Sequence, residues 1–314
     1  MDQALLRTKK RRFLHQNLNA LSSREKSCVL LRVAGVPIEL SLSGPHQTEN
    51  QVFLQKFYAR FLASKATKPE IFVTYHSPSG TTAEPDHAFW ARDGDPGFDF
   101  LDEKENTAVI QRDFFGSLHK TEPRIMAFGP RLATGATDSI DNLLNVILYR
   151  ELPKHGAVPF HSATVVRNKK AYVFFGDSGA GKSTLAYLSH ERNQLPIMSD
   201  DKVILKKEGD HLFAYAIPSV LGILSRDTIN WEVGPVPVVG LFQLVRTAKK
   251  FQERPLTRNE FLPLFLRQIF YHPGFSGRAE LLDLALEIAQ TPSVICREIG
   301  YALSENPWNY IPEE

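Results

Sequence analysis

Cysteines and long apolar runs are scarce in this chain of 314 residues. Its two cysteines, Cys28 and Cys296, do not stand at a spacing used for metal binding or redox chemistry. No apolar run approaches the roughly 20 residues that a membrane-spanning helix needs, and the N-terminus lacks the apolar middle part of a secretory signal. We therefore expect a cytoplasmic protein without a membrane span, whose thiols are reduced.

Excess charge of one sign is also lacking, because 37 lysines and arginines face 35 acidic residues, a net charge of +2. This balance gives no support for nucleic-acid binding, although residues 1–27 hold a basic cluster. The cluster consists of Arg7, Lys9, Lys10, Arg11 and Arg12. No base-stacking aromatic residues interleave with these charges. We interpret residues 1–27 as a solvated basic arm or charged helix face, with binding to anionic lipid or nucleic acid as the weaker alternative.

The hydrophobic content of 43% and the charged content of 23% are typical of a globular protein with one or two domains. Residues 28–130 predict a smaller N-terminal domain of mixed α and β structure. Its predicted elements are strands at Cys28–Ala34, Val36–Leu42, Glu70–His76, Thr107–Gln111 and Arg124–Phe128, and a helix at Glu49–Ala63. A linker-like stretch at 129–138 precedes an amphipathic helix over Ser139–Leu152, so we expect the domain boundary near residue 130.

The second predicted domain, residues 131–314, contains the most informative stretch, AYVFFGDSGAGKSTLAY at 171–187. A β-forming run leads into a glycine-rich loop, and the loop leads into a helical pattern, which is the order of a P-loop, or Walker A motif. Such glycines let backbone N–H groups approach phosphate oxygens, and the following helix adds free N–H groups and the positive end of its dipole. The predicted nucleotide-binding residues are Gly176, Asp177, Ser178, Gly179, Ala180, Gly181, Lys182, Ser183 and Thr184.

Two side chains at the end of this loop have separate predicted roles. Lys182 supplies a cation for the β- and γ-phosphates, and Ser183 places a hydroxyl where it can ligate Mg²⁺. The pattern therefore predicts ATP and Mg²⁺ as cofactors. The alternative, a glycine-rich turn that merely joins a strand to a helix, would not explain a lysine and a serine at these two positions.

An acidic doublet, Asp200 and Asp201, follows the predicted loop helix and lies between apolar strand segments. Neighbouring residues of a strand point to opposite faces, so one carboxylate can address a metal while the other addresses something else. If the two crowd together near a phosphate, one pKa rises, which suits proton transfer. A solvent-facing turn with two acids is the alternative. His161 precedes the loop, but a lone histidine is more often structural than functional.

The remaining residues add structure rather than chemistry. We predict a hairpin over 206–217, an irregular stretch over 218–240, a strand at Val239–Val245 and helices near Arg258–Tyr271 and Gly277–Gln290. A strand at Val294–Ile299 and a polar tail over 304–314 follow. Arg226, Trp231, Arg246 and Arg254 lie in or near the irregular stretches where a substrate could dock, and they are also interpretable as ordinary surface or packing residues.

Three motifs in order, HSA at 161–163, GDSGAGKST at 176–184 and SDD at 199–201, resemble the bacterial HPr kinase/phosphorylase family. The nucleotide-binding core of that family is related to phosphoenolpyruvate carboxykinase. The resemblance implies a mixed α/β fold with a P-loop core and a helical C-terminal part. It also implies that Ser183 and Asp201 hold Mg²⁺, that Asp200 is the general base, that His161 lies beside Asp200, and that Lys182 holds the β-phosphate.

The chain departs from the family pattern downstream of the acidic doublet. HPr kinases carry a Glu-Ile-Arg-Gly-Leu-Gly segment there, and residues 215–223 of this chain lack the glutamate and the arginine. HPr as the acceptor and the reverse phosphorolysis are therefore in doubt. The layout is closer to HPr kinase-related proteins, including lasso-peptide kinases. The family tends to assemble, which makes a homo-oligomer an option.

The sequence thus predicts a kinase that transfers the γ-phosphoryl group of ATP to a hydroxyl of a peptide, protein or small molecule. Two alternatives remain open. One is a nucleotide-binding regulatory or assembly protein without strong catalysis, and the other is a P-loop ATPase that couples hydrolysis to motion.

Overall fold

The chain folds into two compact units, Met1–Leu148 and Tyr149–Glu314. The computed structural model describes residues 27–77, 99–111, 114–132, 137–218, 233–245, 250–271, 275, 278–302 and 304–311. Within these ranges each unit contains a mixed β-sheet, which confirms the predicted mixed α/β class. The predicted boundaries of the domains stay predictions, and residues 1–26 of the basic arm lie outside the described part of the chain.

The first unit is built on a sheet with seven strands among the described residues, in the order β1-β2-β3-β7-β6-β5-β4. The strands are β1 (Ser27–Val33), β2 (Val36–Ser43), β3 (Ile71–His76), β4 (Asp99–Asp102), β5 (Asn106–Ile110), β6 (Phe115–His119) and β7 (Arg124–Phe128). Strands β1 and β2 form the predicted hairpin around Gly35. Helix α1 (Gln47–Phe57) and a 3₁₀ turn (Ala59–Phe61) occupy the range in which one longer helix was predicted.

Helix α2 (Thr137–Glu151) matches the helix that the sequence predicts before the glycine-rich motif. Its predicted apolar face is buried along the whole length, because the spacing of three and four residues keeps these side chains on one side. The buried residues of this face are Ile140, Leu143, Leu144, Ile147 and Leu148. A 3₁₀ turn (Leu152–His155) ends at Gly156, whose φ of +72° lies in the left-handed region.

The second unit contains a branched sheet with nine strands in the described ranges. Its elements are β8 (Ala157–His161), β9 (Ala163–Arg167), β10 (Lys170–Phe175), α3 (Lys182–Asn193), β11 (Ile197–Ser199), β12 (Lys202–Glu208), β13 (His211–Ala216), β14 (Val236–Leu244), β15 (Gln252–Pro255), α4 (Arg258–Leu266), α5 (Arg278–Ala289) and β16 (Ile295–Gly300). Strand β14 pairs in parallel with β10 and β16 and in antiparallel with β13. The sheet thereby joins the strand that enters the glycine-rich loop to the strands that flank the acidic doublet.

Apolar side chains cover both faces of this sheet. On one face, Phe174 and Leu185 belong to a buried cluster that also contains Trp308 of a C-terminal 3₁₀ turn, Pro307–Asn309. On the other face, the rings of Phe160 and Phe265 stack 4.7 Å apart. Burial of this kind contributes about 25 cal/mol for each Å² of apolar surface. The two apolar layers hold β10 and α3, and with them the loop between them, in place.

The C-terminal residues 304–311 are not the polar tail that the sequence predicts. Trp308 is buried, and its indole Nε1 donates a hydrogen bond to Ser189 Oγ of helix α3 at 2.7 Å. Arg167 donates to the main-chain oxygens of Trp308 and Ile311 at 3.3 Å. The prediction was wrong because it was based on the polar residues of the segment and neglected Trp308 and Ile311, which are buried.

Candidate active site

The glycine loop, defined here as Gly176–Gly181, connects the end of β10 to the start of α3. Gly176 and Gly181 have φ values of +146° and +103°, which L-residues rarely adopt. A Cβ atom on Gly176 would lie 2.7 Å from the main-chain oxygen of Leu244, so the loop also passes too close to β14 for a side chain. The strand–loop–helix arrangement that the sequence predicts is therefore present. At Gly176 it requires glycine for two reasons, the positive φ and the close approach to β14.

Lys182 lies at the first position of α3, and its side chain folds back over the glycine loop. Its Nζ donates hydrogen bonds to the main-chain oxygens of Gly176 at 2.8 Å and Asp177 at 3.3 Å. Burial lowers the pKa of the Lys182 ammonium, and the negative charges of Asp201 and Asp177 oppose that effect. The structure thus holds a desolvated cation inside the loop, where a phosphate group would find its charge little screened by water.

The N-terminus of α3 leaves donors available beside this cation. The N-cap residue is Gly181, which has no side chain to cap the helix, and the first N–H groups of any α-helix lack intrahelical acceptors. Asp177, Ser178, Gly179 and Thr184 are exposed. An anion can therefore reach the loop from solvent and meet several main-chain donors and the positive end of the helix dipole.

The acidic doublet lies in the turn between β11 and β12. The hydroxyl of Ser199 fixes this turn by accepting hydrogen bonds from the main-chain N–H groups of Asp201 at 3.1 Å and Lys202 at 2.7 Å. From the side of the glycine loop, Ser183 Oγ donates to the main-chain oxygen of Asp200 at 3.2 Å. The doublet follows α3 and β11 in the sequence. The fold nevertheless brings Asp200 into contact with Ser183, the residue after Lys182.

His161 reaches the doublet from β8. Strands β8 and β12 are antiparallel, and their register sets His161 opposite Lys202. As a result His161 Nδ1 lies 3.2 Å from Asp201 Oδ1, and Lys202 Nζ lies 3.4 Å from Asp201 Oδ2. From the family resemblance we expected His161 beside Asp200. The structure shows the contact with Asp201, which the strand register decides and the sequence spacing does not.

The neighbours of Asp201 determine its charge. Burial alone would raise the pKa of this carboxyl, but the hydrogen bonds and positive charges supplied by His161 and Lys202 outweigh burial, so the pKa lies below its ordinary value. Asp201 is therefore a carboxylate at neutral pH. A carboxylate that is ionised at neutral pH is well suited to hold a cation and poorly suited to take up a proton.

An aromatic layer, formed by Phe270 and Tyr149, packs against His161. The ring of Phe270 meets the His161 ring edge-on at 5.9 Å, and Lys202 Nζ lies 5.4 Å from its centroid. Tyr149 stacks on Phe270, with ring centroids 4.8 Å apart and planes 5° apart. Burial and the nearby charge of Asp201 both raise the pKa of the Tyr149 hydroxyl, so it stays protonated at physiological pH.

Sequence reasoning gave no role to Ser199, which it quoted only as part of the SDD motif, and it did not single out Lys202, Phe270 or Tyr149. Ser199 and Lys202 flank the doublet, and their positions were a usable signal. A serine before two acids can fix a turn, and a lysine after them can neutralise charge. Phe270 and Tyr149 carried no such signal, because each lies far along the chain from the doublet. Of the four suggested docking residues, Arg226, Trp231 and Arg246 lie outside the described residues.

The fourth suggested docking residue, Arg254, forms an ion-pair network with neighbouring acids. Its guanidinium binds Glu298 through Nε at 3.0 Å and Glu260 through one terminal nitrogen at 2.7 Å. Arg254 therefore supports the docking of β15 and α4. In the part of the chain that the structure describes, no helix combines the length and apolar character needed to cross a bilayer.

Comparisons with known proteins do not show a family for this chain. No protein-family model matches the chain, and no curated protein matches it at a significant level. Among solved structures, the Hpr(Ser) kinase/phosphatase from Coxiella burnetii is similar, with a TM-score of 0.28 and 16% sequence identity. The match covers 48% of this chain and 89% of that chain. A likeness at this level supports no conclusion about function, so the geometry of the site has to do so.

Proposed function

We propose that the chain is a magnesium-dependent kinase that transfers the γ-phosphoryl group of ATP to a hydroxyl group. One observation supports this proposal most directly. The buried Lys182 cation, the uncapped start of α3 and the acidic doublet converge, because Ser183 at the start of α3 bonds to the main chain of Asp200. A site that only bound phosphate would not need two carboxylates beside it.

In the proposed reaction the main-chain N–H groups of the glycine loop and Lys182 hold the β- and γ-phosphates. The acceptor oxygen forms a bond to the γ-phosphorus while the bond between that phosphorus and the β–γ bridging oxygen breaks. ADP leaves with the electron pair, and the proton of the acceptor hydroxyl passes to the carboxylate of Asp200. Such parts act mainly by positioning and by neutralising charge.

The two acids have different roles in this proposal. Asp201 is kept ionised by His161 and Lys202, which suits a metal ligand, and this leaves Asp200 as the general base. His161 and Lys202 are positioning residues that orient the Asp201 carboxylate.

The donors present fit Mg²⁺, which prefers oxygen ligands and is usually held by one or two carboxylates together with substrate phosphates. Ser183 Oγ and the Asp201 carboxylate are the residues that would hold it. When bound, the ion would neutralise the charge of the phosphates. Within the described ranges no group of three or more His, Cys, Asp or Glu side chains forms a metal site of the all-protein kind.

The test is transfer from γ-labelled ATP to hydroxyl acceptors, with peptides encoded near the gene among them. We expect Asp200→Asn to lower the transfer rate by 10²- to 10⁴-fold, because a general base contributes about that much, and to leave nucleotide binding intact. Asp210→Asn is the matched control, because Asp210 lies in the β12–β13 turn and is exposed. Equal transfer by Asp200→Asn and the unaltered protein would exclude Asp200 as the base.

The alternatives predict different products. A nucleotide-binding regulator would show turnover no higher than that of Asp200→Asn with any acceptor. A hydrolase would release inorganic phosphate at a rate that does not depend on the acceptor.

A further inference from the structure

Both oxygens of the Asp201 carboxylate are in contact with a basic nitrogen. Lys202 Nζ lies 3.4 Å from Asp201 Oδ2, and His161 Nδ1 lies 3.2 Å from Oδ1. These contacts favour the ionised form of the carboxyl. The same contacts also take up part of its capacity to bind another cation, because a metal ion at Asp201 has to share the carboxylate with the ammonium group of Lys202.

Protein groups enclose the Lys202 ammonium. Its side chain is only 14% exposed, and the centroid of the Phe270 ring lies 5.4 Å from Nζ, within the range of a cation–π contact. Lys207, on the same strand, differs, because its Nζ is 3.9 Å from a Glu287 carboxylate that is 62% exposed. Salt screens partly buried pairs much less than exposed ones. The charge of Lys202 therefore acts on Asp201 more strongly than a surface lysine acts on its partner.

The positive charges around the acidic doublet balance its negative charges. Asp200 and Asp201 supply two negative charges at most, whereas Lys202 contacts Asp201 and Lys182 interacts electrostatically with the same carboxylate. A free divalent cation at this site meets little net negative charge, and it meets an ammonium group whose repulsion is large in a partly desolvated site. ATP changes the balance, because its phosphates bring further negative charge and, under the proposed function, engage Lys182.

We propose that Lys202 is an internal counter-ion that competes with a divalent metal for Asp201, so that the metal binds there only together with a nucleotide. This inference rests on the proposed function, because it concerns the metal ligand assigned there, and it adds to the orienting role of Lys202. It predicts that the protein alone binds Mg²⁺ or a similar ion weakly, and that removal of the Lys202 charge creates a site for the ion alone.

The test is a titration of the full-length protein with Mn²⁺ in the absence of nucleotide, with free Mn²⁺ measured by electron paramagnetic resonance. Mn²⁺ suits the same oxygen ligands as Mg²⁺. Lys202→Met removes the charge and with it the repulsion of a nearby divalent ion, so we expect this variant to bind Mn²⁺ about tenfold or more tightly than the unaltered protein. Equal affinities of the two proteins would overturn the proposal.

Matched variants separate the local charge of Lys202 from other effects. Lys207→Met changes the net charge equally, about 17 Å further along β12, and should leave Mn²⁺ binding weak. Lys202→Arg keeps the charge and should also bind weakly, and Lys202→Gln replaces Lys202→Met if the latter does not fold. A structural role of Lys202 alone predicts no gain in affinity. A similar gain in Lys207→Met or Lys202→Arg would contradict the proposal.

A double variant shows where the gained ion binds. Asp201→Asn, added to Lys202→Met, should abolish the gain in Mn²⁺ affinity, because the neutral amide is a much weaker ligand than the carboxylate. A gain that persists in the double variant would place the ion away from Asp201 and would also overturn the proposal.

The Mn²⁺ titration contains no transfer step, so the two proposals can fail separately. If Lys202→Met gains the Asp201-dependent site but no acceptor is phosphorylated, the counter-ion inference holds and the proposed kinase function fails. If transfer depends on Asp200 but Lys202→Met and the unaltered protein bind Mn²⁺ equally, the kinase function holds and the counter-ion inference fails.

Discussion

Lys182 and Asp201 are two ionisable residues of the candidate site whose pKa values depend on burial and on neighbouring charges. Each side chain is removed from water in part, which disfavours its charged form, and each has neighbours of opposite charge that favour the charged form. For Lys182 burial has the larger effect, and for Asp201 the neighbours together have the larger effect. Under the proposed function, Lys182 would meet a phosphate group and Asp201 a metal ion.

The first prediction concerns Lys182. Lys182→Met should keep the length of the side chain and remove its charge, and we expect the affinity for Mg-ATP to fall at least tenfold, a loss of about 1.4 kcal/mol or more. Isothermal titration calorimetry measures it. Lys170→Met is the control, because Lys170 lies at the opposite end of β10 from the glycine loop. Similar affinities for the two variants would show that phosphate does not bind at Lys182.

At the scale of elements, the glycine loop depends on close packing against β14. Gly176 is restricted both by its positive φ and by the oxygen of Leu244, whereas Gly209 in the β12–β13 turn has a positive φ of +60° with open space around it. A comparison of alanine variants at the two glycines therefore distinguishes the cost of backbone strain from the cost of steric crowding.

This difference gives the second prediction. Gly209→Ala should lower the free energy of unfolding by about 1–2 kcal/mol through its left-handed backbone alone. Gly176→Ala should lower it by about 1–3 kcal/mol more, since overpacking adds to the strain. Urea unfolding of both variants measures the difference. If Gly176→Ala costs no more than Gly209→Ala, the close approach of the loop to β14 is wrong.

Helix α4 begins with a capping box that links it to β15. The Glu260 carboxylate accepts hydrogen bonds from the Thr257 N–H at 2.9 Å and the Thr257 hydroxyl at 2.7 Å, and it also binds Arg254. The hydrogen bonds from Thr257 contribute most to lowering the pKa of Glu260, to about 2, and Arg254 lowers it further. The carboxylate form is thus favoured in the folded state.

The third prediction follows from the sign of that shift. A carboxyl whose pKa is lower in the folded state stabilises the fold above its unfolded pKa, and the stabilisation is lost as pH falls towards the folded pKa. Glu260→Gln should therefore destabilise the protein at pH 7, and its difference from the unaltered protein should shrink between pH 5 and pH 2. Urea titrations at several pH values test this. A difference that stays constant with pH would exclude the charge of Glu260 as its cause.

Elements with strong local patterns could be predicted from the sequence, and weakly patterned ones could not. The hairpin β1–β2 and the buried face of α2 follow from alternating and helical spacing. Strands β4 and β6 were missed because β4 is short with an acid at each end and β6 contains Gly116. The docking of Trp308 on α3 was also missed, since no local pattern indicates a contact between residues 119 positions apart.

At the scale of the whole molecule, the local order of the site was predictable and its assembly was not. The sequence predicted the order of strand, glycine loop and helix, which the structure shows, and phosphate binding at the loop stays a prediction. The pairing of His161 with Asp201 depends on the register of β8 and β12, and the aromatic layer depends on where the chain after α4 returns. Both are long-range features that a single sequence does not encode in any spacing.

The most direct test of the proposed site is a crystal structure of the protein with Mg²⁺ and a non-hydrolysable ATP analogue. The proposal predicts β- and γ-phosphates within hydrogen-bond distance of Lys182 Nζ and the N–H groups of the glycine loop, with Mg²⁺ on Ser183 and Asp201 and the Asp200 carboxylate facing the γ-phosphate. A nucleotide bound elsewhere, or one bound at the loop with both carboxylates turned away from its phosphates, would contradict it.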